Sequence, residues 1–152
     1  MNRAGIKEWL LEYRVKRYTI NDDLSVDIEG DIDLSGKSLV EIPIRFGSVK
    51  GDFDCSHNSL TTLVGCPVEI SGDFSCFKNS LTSLVGCPSR IGGSFNCSRN
   101  ELTTLEGCLV RFGIVGGNFV CSDNWLSTLE GCPIRVGGNF DCSNNAICEC
   151  KW

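Results

Sequence analysis

The sequence is short of histidine, the side chain most often used as a general acid or base. Among 152 residues there is one histidine, one methionine and two tyrosines. His57 stands in a variable position, and no second titrating residue lies at a spacing that would set a base beside a nucleophile, so no catalytic residues are expected. No apolar stretch is long enough to cross a bilayer. Lys7, Glu8, Glu12 and Arg14 interrupt the N-terminal segment, which does not read as a signal peptide. Positive charge is also short: 14 Lys and Arg stand against 19 Asp and Glu, for a net charge of -5 and a pI near 4.8. Such a surface repels phosphate and favours a basic protein partner over nucleic acid. The expectation is a cytoplasmic protein that binds no membrane and no nucleic acid, and needs neither cofactor nor metal.

What the chain does have is glycine and cysteine, 17 and 11 respectively, and both are periodic. Residues 28 to 147 repeat an apolar residue followed by x-Gly-x-[Phe/Ile]-x-[Cys/Leu]-x-x-[Asn/Lys]-x-[Leu/Ile], restarting every 21 residues except for one spacing of 24. Ile32, Phe53, Phe74, Phe95, Phe119 and Phe140 form one column, and Leu34, Cys55, Cys76, Cys97, Cys121 and Cys142 stand two positions later. Period-two alternation sends both columns to the same face of a short strand. Further apolar columns follow at Leu39, Leu60, Leu81, Leu102, Leu126 and Ile147, and at Ile42, Leu63, Leu84, Leu105 and Leu129, while Val49, Ile70, Ile91, Val115 and Val136 close each coil. A repeat this short holds one strand and a tight return, and one coil cannot bury these residues alone, so the coils stack into a solenoid.

Between strand and return stands Asn58, Asn79, Asn100, Asn124 or Asn145, where an amide can satisfy backbone groups left without partners by the turning chain. The pattern Phe53-x-Cys55-x-x-Asn58-x-Leu60-x-x-Leu63 and its copies resemble the leucine-rich repeat, with Phe and Cys in two of the usual leucine positions. The wording Gly-Asp-Phe-Asp-Cys-Ser-x-Asn-x-Leu-Thr-x-Leu-x-Gly-Cys-Pro, with the lead-in from Tyr18 to Ser35, is similar to short cysteine-rich leucine-rich repeat proteins of tailed bacteriophages and prophages. That resemblance implies about six short parallel strands on a concave face, an irregular or turn-rich convex side, and a phage or prophage origin, which would place the protein in the host cytoplasm. It implies no single activity. The first repeat departs from the pattern, with Lys37 where asparagine belongs and no Gly-Cys-Pro return, and reads as a transitional rung.

Residues 1–27 read as an N-terminal cap and residues 28–152 as one continuous solenoid domain. Ile6, Trp9, Leu10 and Tyr13 lie at helical spacing, and the alternation from Tyr18 to Ile28 around Asn21-Asp22-Asp23 reads as a hairpin. Nine cysteines follow the coil, which points to buried thiols ahead of disulfides. Cys142, Cys148 and Cys150 lack the spacing of a zinc knuckle. Trp152 is expected over the last rung, and an incompletely capped C-terminal end suggests a homodimer there. The three extra residues around Arg111-Phe112-Gly113-Ile114-Val115 are expected to bulge from the convex side.

Function is sought in outward positions. Asp31, Asp33, Asp52, Asp54 and Asp73 flank the Phe column in the first three rungs and would form an acidic part of a concave binding face. Departures from the column rule add Phe77, Lys78, Arg99, Val120 and Trp125, a mixture of aromatic and basic residues typical of interface hot spots. The reading is a non-enzymatic protein-binding module that holds and inhibits a bacterial host protein, in anti-phage defence for example. The alternatives are a structural or self-associating protein and a module stabilised by a metal such as calcium on the aspartate ladders.

Overall fold

A computed structural model of the chain describes residues 1–107 and 113–147. It consists of α1 (Arg3–Glu12), β1 (Tyr18–Ile20), β2 (Ser25–Ile28), β3 (Ile32–Asp33), β4 (Arg45–Val49), β5 (Phe53–Asp54), β6 (Glu69–Ile70), β7 (Phe74–Ser75), β8 (Arg90–Ile91), β9 (Phe95–Asn96), β10 (Ile114–Val115), β11 (Phe119–Val120), β12 (Arg135–Val136) and β13 (Phe140–Asp141). The strands form two sheets, one ordered β1-β2-β4-β6-β8-β10-β12 and the other β13-β11-β9-β7-β5-β3. From β3 and β4 onward the rung-to-rung pairings are parallel and in register, so Phe53 lies beside Phe74 and Phe74 beside Phe95, while β2 pairs with β4 in parallel with a register shift between Val26 and Ile28. The chain is a β-solenoid.

The solenoid differs from the sequence reading on the return side. Each later coil carries a second strand there, so the expected irregular convex side is a parallel sheet of its own. Most of these strands have two residues, of which one points inward, as in Arg90–Ile91. A single apolar residue shows no alternation, yet stacking the returns at strand spacing lets their amides pair with the coil before. Ser71 donates to the Val49 carbonyl at 2.9 Å, Gly92 to Ile70 at 2.9 Å and Gly116 to Ile91 at 3.0 Å.

Between the sheets runs a spine of aromatic rings. Trp9 of α1 meets Phe46 at 6.2 Å between centroids, and Phe46, Phe53, Phe74, Phe95, Phe119 and Phe140 follow at 5.4, 6.0, 5.0, 5.3 and 5.2 Å. Such pairs contribute about 0.5–1.5 kcal/mol each beyond the area they bury. Leu60, Leu81, Leu102 and Leu126 complete the interior from the next column, all fully buried. The asparagine ladder performs the bonding its spacing implies. Asn100 accepts from the Leu81 amide at 3.0 Å and donates to the carbonyls of Cys76, Cys97 and Ser98, tying its rung to the one before. Asn58, Asn79, Asn124 and Asn145 do the same.

Asn2 caps α1, accepting from the Gly5 amide at 2.9 Å, and Ile6, Trp9 and Leu10 bury the helix against the first coil. β1 and β2 pair antiparallel with Thr19 opposite Asp27, and β2 passes directly into the seven-stranded sheet through β4. Asp27 holds that junction, accepting from Asn21 at 2.9 Å and from the Ser48 amide at 2.7 Å. These bonds hold its carboxyl below the usual carboxylate range, and Asp23, Asp33 and Asp141 are lowered mainly by bonds from Ser25, Ser35 and Ser143. Folded values below the unfolded ones mean that this stabilisation is complete above about pH 4 and is lost as pH falls through the folded values. Urea midpoints are expected to be flat from pH 8 to 5 and to fall below pH 4, with Asp27→Asn flattening part of the acid limb.

Cys55, Cys66, Cys76, Cys87, Cys97, Cys121 and Cys132 are thiols, and Cys142 is the exception to the thiol reading, being disulfide-bonded. Burial first, and then a hydrogen bond with Cys55, push the Cys66 thiol well above its ordinary value, so it stays protonated in the core. The longer spacing before β10 leaves the ladder intact, since Ile114 and Val115 pair with Arg90 and Ile91 on one side and with Arg135 and Val136 on the other. Arg111 and Phe112 of that expansion, and Cys148, Cys150 and Trp152 of the C-terminal readings, lie outside the described residues.

Candidate functional site

The bend that joins the two strands of each coil packs closely on the bend of the neighbouring rung, and the first aspartate column lies there. Asp31 Oδ1 accepts from the Asp52 amide at 2.9 Å, Asp52 Oδ1 from the Asp73 amide at 2.7 Å, and Asp73 Oδ1 from the Ser94 amide at 2.7 Å. Ser94 Oγ and Asn118 Oδ1 continue the series to the amides of Asn118 and Asn139. These carboxylates are therefore rung-to-rung clips, and a short acceptor of either kind serves. The glycine before each clip leaves room for it: a Cβ at Gly51, Gly72 or Gly93 would fall on the Oδ1 of Asp31, Asp52 or Asp73.

The second acidic column works within a rung. Asp33 Oδ1 accepts from the Ser35 amide at 2.9 Å and its hydroxyl at 2.5 Å, and Asp54 and Asp141 likewise accept from the amides of Ser56 and Ser143. Asn96 holds Ser98 in the same way. Two rungs lack this acceptor, with Ser75 and Val120 in place of the Asp or Asn, and in the first of them Phe77 also replaces the serine. Phe77 and Val120 thus mark the rungs where this polar turn is missing.

Around Phe77 the structure gathers side chains from several rungs. Its ring packs edge-on against His57 at 5.2 Å between centroids, and the Arg99 guanidinium carbon lies 5.5 Å from the ring centroid on the other side. Arg99 Nε is 3.8 Å from Asp123 Oδ2, and Asp123 Oδ1 accepts from Asn144 Nδ2 at 2.9 Å. A continuous strip of His57, Phe77, Arg99, Asp123 and Asn144 results. Of these, the sequence singles out Phe77 and Arg99 but not His57, Asp123 or Asn144. The missing signal was geometric, since Phe77 touches the next column over rather than its own. Val120 is half-buried, Lys78 is exposed, and Trp125 is 67% exposed with no ring contact or ion pair to the strip among the described residues.

His57, Lys78, Arg99, Asp123 and Asn144 share a left-handed backbone, with φ of 54 to 55°. In the first rung Gly36 fills this place. Glycine adopts the conformation freely and asparagine tolerates it, whereas an ordinary side chain costs roughly 1–2 kcal/mol there. Three successive rungs nevertheless carry His, Lys and Arg. Among the described residues no three His, Cys, Asp or Glu side chains are arranged to hold a metal ion, and no helix is long and apolar enough to cross a membrane. Set against family models, curated proteins and solved structures, the chain matches none of them.

Proposed function

We propose that the protein is a non-enzymatic binding module that recognises another protein through the strip centred on Phe77 and Arg99, extended by Lys78, Val120 and Trp125. The observation that carries this reading is the contrast among the outward residues of the coils. Asp31, Asp33, Asp52, Asp54 and Asp73 are engaged in backbone clips, while His57, Lys78 and Arg99 stand exposed at positions that glycine or asparagine would fill at lower cost. Side chains kept against local preference belong to function more often than to folding. An exposed tryptophan and a cation beside a half-exposed ring are the residue types on which interface energy concentrates.

The resemblance to short leucine-rich proteins of tailed phages makes a bacterial host protein, inhibited by occlusion, the proposed target class. Affinity capture from bacterial lysate with wild type beside the Phe77→Ala, Trp125→Ala double variant tests the reading. A protein enriched by wild type alone is the expected result, and identical captures would overturn it. Self-association is the second reading. It is favoured by the last coil, where Val136 and Phe140 are half-buried although Val115 and Phe119 one rung earlier are fully buried. Mass in solution separates the two.

A further inference from the structure

The N-terminal cap covers one sheet and not the other. Hairpin strands β1 and β2 close the end of the seven-stranded sheet, while β3 is the bare terminal strand of the six-stranded one. In interior rungs the carbonyls of Asp52, Asp54 and Ser56 accept from the amides of Ile32, Leu34 and Gly36 in the rung before. Their counterparts in the first rung, the carbonyls of Asp31, Asp33 and Ser35, have no such rung before them and accept no hydrogen bond among the described residues. The Asp33 amide faces the same way, because β3 pairs with β5 through Ile32 and Leu34.

This edge is exposed and forms one wall of a cleft of about 470 Å³, whose other wall is the segment from Tyr13 to Arg17. That wall is fixed in place by the Glu29 amide, which donates to the Arg17 carbonyl at 2.9 Å. Arg14, Lys16, Arg17 and Lys37 line the cleft, and the Arg17 guanidinium lies over Gly30 at its floor. Against these four cations stand Asp31 and Asp33, so the cleft is basic in a protein of net charge -5.

We propose that β3 is a docking edge for an extended acidic peptide segment of a partner, which adds as a further strand to the six-stranded sheet while its carboxylates meet Lys16, Arg17 and Lys37. Backbone pairing supplies the affinity of such strand addition and side-chain charge supplies its selectivity. The surface is distinct from the Phe77 strip and does not depend on it.

The test uses the full chain and three fluorescent seven-residue peptides: alternating Glu and Thr, alternating Lys and Thr, and the Glu peptide with alternate backbone amides methylated. Only the unmodified Glu peptide is expected to bind, about tenfold or more tighter than either of the others, with affinity falling as salt rises. The Lys16→Glu, Lys37→Glu variant changes two exposed side chains. It should keep its circular dichroism spectrum and lose that binding. In the bound state the Asp33 amide should become protected from hydrogen exchange. Equal binding by the methylated peptide would overturn strand addition. No binding by the Glu peptide, or equal binding by the Lys peptide, would overturn the site.

Discussion

Gly92→Ala is expected to destabilise the protein by at least about 3 kcal/mol, a large share of the 5–15 kcal/mol that holds a typical domain folded. The cause is not conformational freedom. A Cβ at Gly92 would fall on the Ser71 carbonyl oxygen, and the Gly92 amide itself donates to Ile70 at 2.9 Å. The obstacle is backbone on one side and a ladder bond on the other, so no side-chain rotation relieves it. Neighbouring coils would have to separate at the bend, which would loosen the Gly93 to Gly72 bond of 2.8 Å as well. Gly36→Ala is the control. It has φ of 62° and nothing within 4 Å of the added methyl, so it should cost about 1 kcal/mol from backbone conformation alone. Urea denaturation of the two variants measures the difference. Similar losses would mean that the rungs are not as close at the bend as the structure places them.

Asn100→Asp is expected to cost about 3–5 kcal/mol at neutral pH, through an uncompensated buried charge. Asn100 is 6% exposed, and its amide nitrogen donates to three carbonyls at 3.1 to 3.3 Å. A carboxylate would keep the bond from the Leu81 amide but turn its second oxygen toward those carbonyls, charge against dipole. Its proton would be held more tightly in the folded state than in the unfolded one. The folded value is therefore raised, and the deficit shrinks as pH falls toward about 4, where the neutral acid can donate again. Both proteins lose stability below pH 4 as Asp23, Asp27, Asp33 and Asp141 take up protons, so that loss cancels in the comparison and the gap reports the new carboxyl alone. Urea midpoints at pH 7 and pH 4 should thus draw together for the two proteins. A gap that is constant with pH would assign the loss to shape instead of charge.

Much of the core was legible in the sequence because buried columns repeat. The Phe, Cys, Leu and Asn positions recur at fixed offsets, and in the interior rungs most are buried or bonded as their chemistry requires. The second sheet was hidden, since strands such as Glu69–Ile70 and Arg90–Ile91 contribute one inward residue each and so carry no alternation. The aspartates could be located but not interpreted. Asp52 looks like a surface charge in the sequence, and only the approach of adjacent bends, where Gly72 makes room for its carboxylate, shows that it closes a backbone bond. The strip around Phe77 was half legible. A break in a column marks Phe77 and Trp125, but that His57 and Arg99 flank the ring depends on the left-handed turn that swings their column beside it.

That outward residues divide into clips needed by the scaffold and side chains it can do without is tested most directly by the melting temperature of the Phe77→Ala, Trp125→Ala variant. Phe77 is half-buried and Trp125 is 67% exposed, and neither side chain makes a hydrogen bond that closes a rung. The melting temperature is expected to stay within about 3 °C of wild type, a loss below about 1 kcal/mol for a domain of this size. A fall of about 8 °C or more would show that these side chains are packing the solenoid holds itself together with, and would contradict the assignment of the strip to a partner.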